Sequence, residues 1–185
     1  MMQYTARYHS PIGDILLAAD DIGLTGLWFE GQKYFALSLD TEREEREIPL
    51  FERIKSWLDI YFSGKEPEFA VPLHFIGTEF QKDVWKILCS IPYGQTMTYG
   101  GIAKQIAAER GLPRMSAQAV GGAVGHNGIS IIVPCHRVVG TNGSLTGYCL
   151  LYTSSHAFIS SDVCVSSHLS YSSFSVRFIS LNFPK

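Results

Sequence analysis

All 17 glycines of this chain lie at or before residue 147, while residues 149–185 hold 11 serines and no glycine. Glycine supplies the turns and close approaches that a compact fold needs. A chain that uses it this freely and then stops has reached the end of one folded unit. Apolar residues beyond Tyr148 also keep no sustained period of two or 3.6, so neither a strand nor a helix face is written there. The fold is therefore expected within residues 1–148. Residues 149–185 are read as a tail foreign to it, artefactual or disordered.

Within the first 148 residues two patterns succeed one another. Short β-like runs (Gln3–His9, Asp14–Ala19, Gly23–Phe29) are separated by Ser10-Pro11-Ile12-Gly13 and Asp20-Asp21-Ile22-Gly23. Turn clusters at this spacing predict a small antiparallel meander. After the charged stretch Asp40–Glu47, Phe51, Ile54, Trp57, Leu58 and Tyr61 recur at helical spacing over Leu50–Phe62. That stripe should cover the sheet, and the zone reads as scaffold with no chemistry of its own.

Beyond the link Glu66–Pro72 the pattern turns helical. Thr78 with Gln81 three residues on has the spacing of a capping box, and Phe80, Val84, Trp85, Ile87 and Leu88 mark one helix face. Thr98 is placed to cap a helix Tyr99–Ala108. After the turn Arg110-Gly111-Leu112-Pro113, Ser116 is placed to cap another running to about Gly125. Two short helices joined by a tight turn fit a helix-turn-helix, although an ordinary helical hairpin fits the periodicity equally. The class is α/β, with domains expected at 1–73 and 74–148.

The chemistry concentrates at Pro134-Cys135-His136-Arg137-Val138, after the apolar run Ile129–Val133 that reads as a short buried strand. Thiol pKa lies near 8.5, so little thiolate exists at neutrality unless a neighbour helps, and His136 is one candidate. On an extended backbone successive side chains point apart, so the two should meet through a water unless the chain turns. These five residues suit a buried structural cysteine equally well.

Composition narrows the setting. No 18-residue apolar stretch offers a membrane span, and Met1-Met2-Gln3-Tyr4-Thr5 lacks the pattern of a secretory leader. Four cysteines without paired spacing suit a reducing cytoplasm, and no spacing points to a metal site. Residues 1–70 carry 7 basic and 13 acidic side chains, whereas residues 71–148 carry 6 and 3. A polyanion would therefore prefer the second region, though the bias is mild.

Ser116–Gly147, with Ile91-Pro92-Tyr93-Gly94 and Thr98-Tyr99 upstream, closely resembles the methylated-DNA–protein-cysteine methyltransferases. These remove alkyl groups from O6 of guanine and O4 of thymine. The resemblance is specific over 78–148 and looser over 1–77. It implies a ribonuclease H-like amino-terminal domain and a carboxy-terminal helical domain with a helix-turn-helix. It also implies a single-turnover transfer without cofactor, by a monomer acting on alkylated double-stranded DNA in the minor groove. Cys135 would accept the alkyl group, His136 would take its proton through a water, and Asn127 would brace the loop. Tyr99 would assist extrusion of the base, which is needed because O6 is unreachable in the stack. DNA contacts would fall to Tyr99, Gly100, Ser116, Gln118, Ala119, Gly122, Arg137 and Thr141, with Val138 and Tyr148 lining the base pocket. The small residues of Ser116–Gly125 make a slim rod suited to a groove about 6 Å wide, or to close packing on another helix.

Two departures stand out. Where many members insert an arginine into the vacated stack this chain has Gln118, which predicts weaker DNA affinity. The family also orients its histidine with a glutamate beyond the cysteine, and here no glutamate follows Glu109. A recognition module that binds alkylguanine without transfer is the first alternative, although Cys135 is retained. A cysteine hydrolase is the second, and it leaves the slim helix unexplained.

Overall fold

The computed structural model describes residues 1–144 together with the tail strands Ala157–Ser160 and Val163–Ser166. It opens with β1 (Gln3–Ser10), β2 (Gly13–Ala19) and β3 (Leu24–Phe29), paired antiparallel through two tight turns. Each turn is closed by its own polar side chain. Ser10 Oγ donates to the Gly13 carbonyl, and Gly13 adopts φ 135°, which only glycine takes without strain. Asp20 Oδ1 accepts from the amides of Ile22 and Gly23, at 2.9 and 3.1 Å.

The sheet is mixed rather than purely antiparallel. A fourth strand, β4 (Arg43–Glu45), pairs parallel to β1 and gives the order β3-β2-β1-β4. All three of its residues are exposed and charged, so no apolar alternation announces it. Backbone contacts hold it instead: Gln3 N–H donates to the Glu42 carbonyl at 3.2 Å, and Arg46 N–H donates to the Thr5 carbonyl at 3.0 Å. Charge on this edge discourages further strand pairing.

Helix α1 (Pro49–Phe62) starts on a proline whose missing amide costs nothing there. Phe51, Ile54, Leu58 and Tyr61 form its buried stripe, and they join Ala6, Ile15, Leu17 and Leu27 of the sheet in one core. Tyr8 Oη donates to Asp59 at 2.7 Å and fixes the helix on the sheet.

The link that follows runs along β3, with the Leu24 amide donating to Pro72 and the His74 amide to Leu24. Helices α2 (Glu79–Cys89), α3 (Tyr99–Glu109) and α4 (Ala117–Gly125) then pack on one another. The three expected caps form. Thr78 and Gln81 complete a capping box, Thr98 Oγ1 accepts from the Gly101 amide, and Ser116 Oγ accepts from the Ala119 amide. Trp85 Nε1 donates to the Ala123 carbonyl at 2.9 Å, tying α2 to α4, while Arg110 pairs with Asp83 at 2.6 Å, tying α3 to α2. A short parallel pair, β5 (Met97–Thr98) with β6 (Val138–Val139), brings the chain back beside the start of α3. The tail strands β7 (Ala157–Ser160) and β8 (Val163–Ser166) pair antiparallel. No helix among the described residues is long and apolar enough to cross a membrane.

Candidate active site

The residues before the cysteine are not a strand. Only Ile129 bridges to the sheet, opposite Leu27, and the chain then coils through a buried turn in which Ile131 takes φ 67°. A run of apolar residues reports burial without distinguishing an extended from a turned backbone. Asn127 makes the turn possible. Its Nδ2 donates to the carbonyls of Ile129 (3.1 Å) and Val133 (2.9 Å), and its Oδ1 accepts from the Ile129 amide (3.0 Å). One buried side chain thus gives the Ile129 amide its acceptor and adds a second donor to two carbonyls, which also accept from the Val133 and Cys135 amides at 3.1 and 2.8 Å.

The turn is also pinned to the amino-terminal sheet. The Leu27 amide donates to Gly128 at 2.8 Å, the Ser130 amide donates to Leu27 at 3.0 Å, and Ser130 Oγ meets Gln32 Oε1 at 3.3 Å. His126, just before it, stacks on Tyr34 with ring centroids 4.2 Å apart.

From this base Cys135–Arg137 forms a single 3₁₀ turn, closed by the Arg137 amide on the Pro134 carbonyl at 3.0 Å. The chain therefore does turn at the cysteine, and the alternation of an extended strand does not apply. Cys135 and His136 are both buried. Tyr99, the first residue of α3, is half-buried nearby. Burial, and then electrostatic interaction with Cys135, raise its hydroxyl above the ordinary phenol pKa. The pairing of Met97–Thr98 with Val138–Val139 brings the start of α3 alongside the chain that leaves the 135–137 turn.

His136 has a partner that sequence reasoning missed. Its Nε2 lies 3.0 Å from Tyr61 Oη, on α1, in a segment read as pure scaffold. Tyr61 itself is wedged among rings, stacked on Trp57 at 5.4 Å and edge-on to Tyr93 at 6.4 Å. The available signal was the residue type. A tyrosine at the end of an otherwise apolar stripe carries a hydroxyl that must find a partner when buried.

The other expected site residues divide into two groups. Ser116, Gln118, Ala119 and Gly122 are exposed on one face of α4, whose opposite face buries Val120, Ala123 and Val124. Gly100 is half-buried and Thr141 exposed. A Cβ added at Gly100 or Gly122 would touch nothing within 4 Å, whereas one at Gly121 would meet the Tyr99 ring at 3.9 Å. Val138 is fully buried in β6, opposite Met97.

Arg137, expected at the DNA surface, is turned inward instead. It is buried, donates from Nη1 to the Ile91 carbonyl at 2.9 Å, and lies over the Tyr93 ring. Its charge is committed to tying the 135–137 turn to the end of α2. Tyr148 and most of the 149–185 tail lie outside the described residues.

A thiol and an imidazole buried on one turn are residue types that a nucleophilic cysteine site uses. Comparison with known proteins gives the class. The 6-O-methylguanine DNA methyltransferase ribonuclease-like domain matches residues 3–75, and the DNA binding domain of the same proteins matches residues 79–160. A methylated-DNA–protein-cysteine methyltransferase of Methanosarcina acetivorans is 49% identical over 78% of this chain and 88% of its own length. One of Mycobacterium leprae is 45% identical over 75% and 79%. A crystal structure of Mycobacterium tuberculosis OGT in complex with DNA superposes with TM-score 0.66 at 43% identity, covering 80% of this chain and 84% of that one. This chain belongs to the methylated-DNA–protein-cysteine methyltransferase family.

Proposed function

We propose that this protein repairs DNA by moving an alkyl group from O6 of guanine, or O4 of thymine, onto the sulfur of Cys135. The observation that carries this is the buried 135–137 turn, on which Cys135 and His136 follow one another and from which β6 runs alongside the strand that leads into Tyr99. His136 takes the thiol proton through a water, and the thiolate sulfur attacks the alkyl carbon. The bond from that carbon to O6 breaks, its electron pair stays on the base, and the base takes up the proton. The thioether is not hydrolysed under mild conditions, so one molecule acts once and needs no cofactor.

Access to O6 requires the nucleotide to leave the stack, at a cost of a few kcal/mol. We assign that step to Tyr99 and to the exposed face of α4, with Gly100, Ser116, Gln118, Ala119, Gly122 and Thr141 along the DNA. The hairpin α3–α4 then acts as a helix-turn-helix whose slim face enters the minor groove of the duplex. Arg137 has no part in that surface, because its guanidinium is held by Ile91 and Tyr93. Val138 supports the wall of the base pocket. The protein acts as a monomer. Cys89 and Cys135 are free thiols, which suits work in the reducing cytoplasm.

The test is intact mass after incubation with duplex DNA carrying O6-methylguanine. One methyl gained on the Cys135 peptide, and none in Cys135→Ala, is the expected result. Binding without gain would make the protein a recognition module, and turnover of many equivalents would exclude a stoichiometric acceptor.

A further inference from the structure

We infer that Tyr61 is a positioning residue for the transfer: its hydroxyl holds His136 in the tautomer protonated on Nε2, which leaves Nδ1 to receive the Cys135 proton. The inference rests on the reading of His136 as the base.

The geometry is specific. Tyr61 Oη and His136 Nε2 are 3.0 Å apart between two buried residues that lie 75 positions apart in the chain. Neutral imidazole offers one donor nitrogen and one acceptor nitrogen, whereas a phenol can play either role. The bond alone therefore does not choose the tautomer; the chemistry does. A base must present a lone pair toward the thiol, and with Nε2 engaged by Tyr61 that lone pair belongs to Nδ1. Oη then accepts from Nε2–H before and after the proton arrives, so the contact survives the step and stabilises the imidazolium.

Tyr61 is itself unable to drift. Trp57 stacks on it with rings 11° from parallel, Tyr93 and Phe62 meet it edge-on, and the ring of His136 meets it at 70°. Those contacts need only the ring. Phenylalanine would satisfy them, so the hydroxyl answers a separate demand. No glutamate follows Glu109 to serve as an orienting carboxylate. A phenol can accept from Nε2–H where a carboxylate would, but it can also donate, and it brings no negative charge to the imidazolium. The amino-terminal helix thus enters the chemistry through one oxygen.

The experiment uses the full chain, labelled with ¹⁵N-histidine, as wild type and as Tyr61→Phe. Long-range ¹H–¹⁵N spectra report which nitrogen of His136 carries the hydrogen, with His136→Ala identifying the signal. Wild type should show Nε2–H, and Tyr61→Phe should show mixed tautomers. At saturating O6-methylguanine duplex, single-turnover transfer in Tyr61→Phe should fall about tenfold, within the range of acid–base effects. The DNA concentration for half-saturation should stay unchanged. In a His136→Ala background the same change should cost nothing further.

A wild-type signal from Nδ1–H would overturn the inference, as would equal slowing by Tyr61→Phe with and without His136. If wild type gains no methyl at Cys135, the repair reading fails while the tautomer spectra still decide the role of Tyr61. Should Tyr61→Phe not fold, the wild-type spectrum alone decides it.

Discussion

Gly26 in β3 and Gly122 in α4 both avoid the left-handed region, so neither is glycine for reasons of backbone angle. The space around them differs. A Cβ at Gly26 would run into the indole of Trp28, which is fully buried. A Cβ at Gly122 would meet open solvent. The amino-terminal region uses a small residue because packing demands it. The carboxy-terminal region keeps one where the isolated molecule gains nothing and loses helix stability. The first region is built to be dense, and the second is built to be approached.

The same division runs through the forces that hold each region. Sheet and α1 are joined by apolar side chains at regular spacing, from Leu17 and Leu27 to Phe51 and Leu58. The site turn has no such regularity and depends on Asn127. Asn127→Ala leaves the buried Ile129 amide without its acceptor, at about 1–3 kcal/mol, and removes two further hydrogen bonds worth about 1 kcal/mol each, while the two carbonyls keep the Val133 and Cys135 amides. We expect a loss of about 3 kcal/mol or more in chemical denaturation, and abolition of methyl gain at Cys135. Asn127→Asp should do little better, since a carboxylate cannot donate to Ile129 and Val133. A small stability loss would mean that the turn is held mainly by its contacts with Leu27.

Gly26→Ala tests the other side of the comparison. Overpacking a tight core costs about 1–3 kcal/mol, so melts should show destabilisation of that order. Transfer by the surviving folded fraction should be normal, because the added methyl is met by the Trp28 indole and not by Cys135, His136 or Tyr99.

What could be read in advance follows the same line. The stripe of α1 and the caps Thr78, Thr98 and Ser116 are local patterns, and local patterns decide helices. Strand β4 was invisible because its three exposed charged residues carry no burial signal. Ile129–Val133 looked like a strand because burial and extension leave the same apolar trace. Cys135 and His136 stood out as a motif, while Asn127 and Tyr99 were named only through the family resemblance. The inward turn of Arg137 and the contact between Tyr61 and His136 were not, since both depend on pairings between distant segments.

Where the two regions meet, Asp20 closes the β2–β3 turn and also receives His74 Nδ1 at 2.6 Å from the link. Burial opposes its charge, but the bonds from His74, Ile22 and Gly23 outweigh that and hold its carboxyl below the usual range. A carboxyl whose folded pKa is depressed adds stability above its unfolded value, near 3.9, and loses it as pH falls through the folded value. Melts from pH 6 downward should therefore show an acid loss that Asp20→Asn flattens. At neutral pH the same substitution should cost about 1–2 kcal/mol. An unchanged acid slope would mean that the joint does not depend on this charge.

The smallest effect separates packing from approach most directly. Gly122 lies inside α4 with helical geometry and an open flank, so Gly122→Ala should stabilise the free protein by about 0.5–1 kcal/mol. If α4 lies in the minor groove, the added methyl points at the groove wall, where a width of about 6 Å leaves little room. Duplex binding should then weaken while the melting temperature rises, and the two changes have opposite signs. Gly26→Ala admits no such split, because its cost falls on folding alone. A Gly122→Ala protein that melts higher and binds duplex as well as wild type would remove the exposed face of α4 from the DNA surface and return its small residues to chance.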